Sequence, residues 1–338
     1  MSYQQEYKKL ITDNLEGCRE DAVKMRAALE NSSAHYHGFT VHTLYIPKLY
    51  RAEDLEFLTR AADTTYGILE KVTEEYVKNP DYRKLFGFEE RLERLILHEP
   101  PYKCYIPVAR IDVFYDPDAM DFKFCEFNTD GSSGMNEDRE LNNVFDTSET
   151  FRAFSSKHTI RRFELFDSWV SEFMRIYFST PAAKEEPHIA IVDFMSSASN
   201  EEFEEFKRAF ARAGYTCEIC DIYKLRRENG SLISPSGQRI DAVYRRAVTS
   251  DIMKHYDEVR PLIDAYLNDE TVVIGSFRTQ IAHNKLIFKL LRDDMTRAIL
   301  SDEENEFIER HIRGTYMLTH DNIHKYEVIE DRFNGIGK

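Results

Sequence analysis

The chain has 338 residues, 42% of them hydrophobic and 31% charged, which is enough apolar material for two globular domains with a sizeable core. Its formal net charge of −15 argues against a nucleic-acid binder, which needs a basic surface to neutralise phosphate, and it disfavours contact with anionic membranes. The stretch from Met1 to Lys9 has no apolar signal core, and no run approaches the ~18 apolar residues of a membrane helix, so the expected location is cytoplasmic.

In chain order, apolar side chains first recur at helical spacing over residues 5–30 and 52–79. The second stretch carries Leu55, Leu58, Ala62, Tyr66 and Leu69, and both read as long helices whose stripes pack a core. His35, His37 and His42 lack an acidic or cysteine partner at ligand spacing and read as surface or packing histidines. A short helix over 91–97 precedes the most informative part of the chain. Residues 107–115 and 121–128 both alternate, and the segment between them, Asp116 to Met120, is turn-forming, so together they read as an antiparallel hairpin.

Side chains two apart share a face of a strand. Arg110 and Asp112 therefore share a face with Phe114, and Glu126 and Asn128 share one with Phe122 and Phe124. A register that joins these faces gathers two carboxylates, an amide oxygen and a guanidinium at one end of the hairpin. Hard oxygen donors of this kind suit Mg²⁺, which keeps several waters and takes one or two protein carboxylates plus substrate phosphates. The second strand runs into Thr129 to Gly134, where two glycines permit close backbone approach and Ser132 and Ser133 offer hydroxyls to a polar ligand. An exposed hairpin face with a polar turn is the competing reading.

Further on, residues 136–143 read as a helical turn. Residues 148–178 read as one long helix with Phe151, Phe154, Phe163, Phe166, Trp169 and Phe173 among its apolar positions. Prolines and charges between Ser179 and Pro187 mark a linker. Strands at 188–194, 215–222, 240–246 and 271–275 then alternate with helices at 200–213, 252–267 and 284–291, the pattern of parallel β-α-β units in a doubly wound sheet. Ligands bind at the carboxyl ends of such strands, where the segment from Asp193 to Asn200 and the pair Arg245 and Arg246 fall. Five cysteines make no disulfide framework, and Cys217 and Cys220, a C-x-x-C inside a strand without a second pair, read as core thiols. No standard Gly-rich phosphate loop occurs. The expected fold class is mixed α/β: a helical region with the hairpin over 1–180, a doubly wound parallel sheet over 188–300, and a last piece over 301–338.

An Arg-x-Asp strand followed by a Glu-x-Asn strand and a serine-containing loop resembles the metal-and-substrate motif of glutathionylspermidine synthase and of eukaryotic-type glutathione synthetase, ligases with a circularly permuted ATP-grasp fold. The resemblance spans about residues 100–330, roughly two-thirds of a family member. It implies that Asp112, Glu126 and Asn128 coordinate Mg²⁺ beside the ATP phosphates, and that Arg110 contacts the reacting part of the substrate or the phosphates. Ser133 matches a family serine that binds the peptide-like substrate, with Ser132 beside it, and Gly131 stands where another family serine would be. The alternating segment is similar to the pre-ATP-grasp substrate domain of these ligases. Within it, Val243 to Arg246 resembles the strand whose terminal arginine grips the substrate carboxylate through paired hydrogen bonds, so Arg246 is the candidate and Arg245 the fallback, against a reading of both as surface arginines. Asn284 and Lys285 look like the family's Asn-Lys at the start of the next helix.

In the permuted family the lysine-bearing, Gly-rich ATP lobe lies downstream, so residues 301–338 are expected to begin it and the chain to be a fragment. A lobe supplied by another polypeptide and a degenerate binding protein are the alternatives. The activity implied is ATP-dependent amide formation between a carboxylate and an amine, with ATP and Mg²⁺ as cofactors and a peptide-like or polyamine substrate. A non-catalytic small-molecule or peptide binding protein of the same fold is the first rival, and a metal-dependent hydrolase the second.

Overall fold

A computed structural model gives the structure of the protein and describes residues 2–36, 38–196 and 200–316. Helices α1 (Tyr3–Asp13) and α2 (Leu15–Glu30) divide the first apolar stripe at Asn14. Asn14 leaves helical geometry at φ −144° and ψ 61°, and its side chain accepts the Gly17 N–H at 3.3 Å to cap α2. The two-residue strands β1 (His35–Tyr36) and β2 (Phe39–Thr40) pair antiparallel ahead of α3 (Ala52–Lys78), the long helix expected there, which α4 (Pro80–Arg83) and α5 (Glu90–Leu97) follow. The expected hairpin forms: β3 (Arg110–Asp116) pairs antiparallel with β4 (Asp121–Asn128), setting Arg110 opposite Asn128 and Asp112 opposite Glu126. An irregularity between Asp112 and Val113 shifts the register beyond them.

Three helices, α6 (Met135–Thr147), α7 (Glu149–Ser155) and α8 (Phe166–Phe178), occupy the region where one turn and one long helix were expected. Residues 156–165 are not helical. The helix restarts where the Glu164 carboxylate accepts the N–H groups of Phe166 and Ser168 at 2.8 and 3.0 Å, partners that the first turn of any helix otherwise lacks.

Beyond the linker come β5 (His188–Asp193), α9 (Asn200–Arg212), β6 (Thr216–Asp221), β7 (Arg226–Glu228), β8 (Ser231–Ile233) and β9 (Ala242–Arg245). They are followed by α10 (Thr249–Lys254), α11 (Arg260–Leu267), β10 (Val272–Ile274), α12 (Gln280–His283), α13 (Ile287–Leu290), α14 (Asp294–Arg297) and α15 (Asp302–His311). The expected helix over 252–267 is two, because Pro261 sits in the first turn of α11 and cannot donate to a preceding turn. The expected helix over 284–291 is shorter, α13 alone, because its first residue Asn284 is extended at φ −65° and ψ 124° and its side chain accepts the Leu286 N–H at 3.0 Å. The β7–β8 hairpin adds to the expected elements; its turn residues Asn229 and Gly230 have φ of 49° and 71°, the conformation an Asn-Gly pair favours.

Strands β10, β9, β5 and β6 form a parallel sheet in that order. Both of its faces are buried. Ala190, Val192, Val243 and Val273 pack with α3, α5, β4 and α13, while Ile189, Ile191, Tyr244 and Ile274 pack with α8 and α9. The mixed α/β class with a hairpin and a doubly wound parallel sheet is therefore as expected, and the first of these core clusters takes residues from both sides of the 179–187 linker. The strand order reverses between β5 and β9, so the crevice that ligands favour opens at the carboxyl ends of these strands, Asp193 and Arg245. Among the described residues no helix is long and apolar enough to cross a membrane. His37, residues 197–199 of the expected strand-end loop, and residues 317–338 of the expected ATP lobe lie outside the described residues.

Candidate functional site

The register of the hairpin sets the geometry. Arg110 Nε lies 2.9 Å from Asp112 Oδ1, and Arg110 Nη2 lies 3.9 Å from Glu126 Oε1. Asn128 Nδ2 donates to Asp112 Oδ2 at 3.4 Å, which leaves the amide oxygen outside that bond. Lys285, from the segment between α12 and α13, places Nζ 2.8 Å from Glu126 Oε2. Its ammonium, aided by the Asn128 amide, holds the Glu126 carboxyl below the usual range, and Glu126 in turn raises Lys285. The four residues expected to converge do converge, and Lys285 joins them. Two carboxylates and one amide oxygen are a hard donor set that fits Mg²⁺ completed by waters and phosphates. Among the described residues no three His, Cys, Asp or Glu side chains gather as a metal cage.

The loop from Thr129 to Gly134 is clamped at both ends by buried ion pairs. Asp130, 3% exposed, accepts from the Arg245 guanidinium, from the Thr249 N–H at 2.7 Å and from Thr279 Oγ1 at 3.1 Å. Burial pushes the Asp130 carboxyl up, but the Arg245 charge and the Thr249 N–H outweigh it and hold it low. At the other end Glu202, fully buried, accepts the N–H groups of Gly134, Met135 and Asn136 at 3.0, 2.8 and 3.2 Å, capping α6. The second oxygen of Glu202 lies 2.8 Å from Arg246 Nη1, and the Arg246 guanidinium lies against the rings of Phe203, Phe206 and Tyr244. Arg246, expected to grip a substrate carboxylate, is thus not brought to an open site, and neither is Arg245: each guanidinium is buried and holds a carboxylate of the protein itself.

The loop's own residues are placed as follows. The Ser132 hydroxyl donates to the Asn128 carbonyl, and the Ser133 carbonyl accepts from Arg110 Nη1 at 2.9 Å. Gly131 has φ +63°, and a Cβ there would meet the Arg246 carbonyl oxygen and Val248 Cγ1 at 2.6 Å. Only glycine fits, so the family serine cannot be accommodated at this backbone.

A cavity of about 880 Å³ opens beside the loop, lined by Arg110, Glu126, Asn128, Ser132 and Ser133. Glu137 of α6, His283 of α12 and the segment from Phe39 to His42 also face it. Among the expected site residues, Asp112 and Arg246 do not line it. Glu137, His283 and the clamps Asp130 and Glu202 were not singled out by sequence, because an acid in a first helical turn and an Asp after a strand carry no distinguishing pattern. The C-x-x-C pair holds free thiols: Cys220 is buried on one side of the sheet and Cys217 packs against the cluster on the other, so the two do not face one another.

No protein-family model and no curated protein matches the sequence. Among solved structures, the chain is similar to a glutathione synthetase-like effector from Globodera pallida in its apo form, with a TM-score of 0.60 and 12% identity over 91% of this chain and 77% of that one. The chain has a glutathione synthetase-like fold. At 12% identity the likeness carries the architecture and leaves the chemistry of the hairpin face to be argued from its own residues.

Proposed function

We propose that the protein is an ATP-dependent carboxylate–amine ligase that forms an amide through an acyl phosphate. The observation that carries this reading is the convergence of Arg110, Asp112, Glu126 and Asn128 on one hairpin face, in the pattern that resembles permuted ATP-grasp ligases, beside a cavity of substrate size. Asp112, Glu126 and Asn128 would hold Mg²⁺, which supplies charge neutralisation at phosphate oxygens. Arg110 steadies the transferred phosphoryl group, and Lys285 adds a second positive charge on the same face. Ser132 and Ser133, on a loop fixed at both ends, hold the substrate so that its carboxylate lies near the phosphate, a positioning effect that needs no protein nucleophile. The amine then attacks the acyl carbon and phosphate leaves.

A non-catalytic binding protein of the same fold is the second reading, and one observation favours it. Asp112 and Glu126 are already neutralised by Arg110 and Lys285, so the face is balanced without a metal. Equilibrium binding of ATP with and without Mg²⁺, followed by an assay for ADP with carboxylate and amine present, separates the two. The ligase reading expects Mg²⁺-dependent nucleotide binding and turnover that Glu126→Gln abolishes with the fold intact; nucleotide binding indifferent to both Mg²⁺ and Glu126 would sink it.

A further inference from the structure

Among the described residues three arginines are buried, and they are not alike. Arg245 and Arg246, 2% and 4% exposed, each hold a buried carboxylate of the protein. Arg278, 7% exposed, has no carboxylate of the described residues within ion-pair distance. It follows β10 in a short turn where Phe277 lies 4.8 Å from the Arg245 guanidinium and Arg278 reaches α5. Its Nε donates to the Ile96 carbonyl at 3.2 Å, and its guanidinium lies against the Tyr105 ring at 5.7 Å. Capping the last turn of α5 explains the first contact but uses only one of the side chain's N–H donors. The two terminal nitrogens bond to no described residue, yet neither is shut off from water. A charge so far withdrawn from solvent without a counterion is costly, and an anion at its open edge removes that cost.

We propose that Arg278 anchors an oxyanion site, apart from the cavity beside the hairpin, that takes the carboxylate or phosphate group of a small molecule. Arg278 does not line that cavity. Its two terminal nitrogens form the planar fork that grips such a group through parallel hydrogen bonds. The Ile96 carbonyl and the Tyr105 ring fix the guanidinium, so little ordering is left for the ligand to impose. The net charge of −15 repels anions at long range, so an anion held saturably by this chain requires a contact of this kind.

The test is calorimetric titration of the whole chain, without nucleotide or Mg²⁺, using inorganic phosphate and acetate as probes and chloride at matched ionic strength as the control. At least one probe is expected to bind saturably while chloride does not, and the tighter probe identifies the group. Arg278→Gln should weaken that binding about tenfold or more, the loss expected for a charge-assisted hydrogen bond. Arg278→Lys keeps the charge without the fork and should fall between the two, with circular dichroism reporting the fold of each variant. Arg110→Gln separates this site from the hairpin face, which also offers a guanidinium to phosphate, and should change the affinity less than twofold. The assignment is overturned if neither probe binds the unaltered chain, if chloride binds equally, or if a folded Arg278→Gln keeps its affinity within twofold. Binding that Arg110→Gln abolishes and Arg278→Gln spares overturns it as well. Should loss of the Ile96 contact unfold Arg278→Gln, Arg278→Lys decides, and unchanged affinity there defeats the assignment. The ligase reading is scored separately, by Mg-nucleotide turnover, and stands or falls without this site.

Discussion

The hairpin face and the ends of the parallel sheet are built from the same residue types, arginine and carboxylate, yet they differ in what they can do. In the Arg110–Asp112 pair the side chains are 47% and 34% exposed, whereas in Arg245–Asp130 and Arg246–Glu202 none exceeds 4%. Water screens the first pair and stands ready to solvate either partner, so a phosphate, a metal or a substrate carboxylate can replace one of them at small cost. The buried pairs have no such exchange open to them, since separating either leaves a charge in a medium that cannot solvate it. Their effect is mechanical. They hold the loop from Thr129 to Gly134 at both ends, and that loop presents Ser132 and Ser133 to the cavity.

Breaking a clamp is expected to give the largest effect. Arg245→Ala leaves Asp130 buried with Thr249 and Thr279 as its remaining donors, and the loss of stability should be about 3–5 kcal/mol, measured by urea denaturation. Arg246→Ala should cost a similar amount through Glu202. Arg110→Ala should cost less than ~1 kcal/mol, because its partner regains water. If Arg246→Ala unfolds no more readily than Arg110→Ala, the contrast between the two regions is wrong and Arg246 returns as a candidate for ligand contact. The open face gives the reverse pattern, sharpening the comparison from the other side. Asp112→Asn and Glu126→Gln should each change stability by no more than ~1 kcal/mol while removing Mg-nucleotide turnover. A large loss of stability from either would mark the face as structural.

The open face was legible because a strand's period of two and a turn-forming Asp116–Met120 segment decide which side chains meet, and no distant residue is needed to place Arg110, Asp112, Glu126 and Asn128 together. The clamps were not legible for the opposite reason. An arginine at a strand end is written the same way whether it meets solvent or a carboxylate from elsewhere, and Glu202 is one of four acids in the first six residues of α9, where Glu201 is exposed and Glu202 fully buried. Tertiary burial alone distinguishes them. The same limit applies to the helix expected over 148–178: Phe163 fits the apolar stripe but is 69% exposed, because Glu164 caps a new start locally and the segment before it leaves the helix. By contrast, the β7–β8 hairpin had its signal in Asn229 and Gly230, and the buried four-stranded sheet had its own in short apolar runs separated by helices.

The smallest expected effect concerns how the hairpin can expose one face and remain fixed. His311 of α15 is buried, with Nδ1 2.9 Å from the Phe122 carbonyl oxygen and its ring stacked on Phe122 at 4.0 Å and 5°. Burial pushes its pKa below the ordinary 6.5, against the opposing pull of the Phe122 carbonyl and of Asp121. The unfolded chain therefore binds this proton more readily than the folded one, so the contribution of His311 is complete above about pH 6.5 and is lost as pH falls from there through the lower folded value. Urea midpoints measured between pH 7.5 and 5 should fall with acidification in the native chain, and less steeply in His311→Gln. The opposite slope, a gain of stability on acidification that His311→Gln removes, would mean that His311 is held as a cation by Asp121 at 3.6 Å. In that case the strand carrying Glu126 and Asn128 would itself be anchored by an ion pair, and the division between exchangeable pairs on the open face and fixed pairs at the sheet would no longer describe the hairpin.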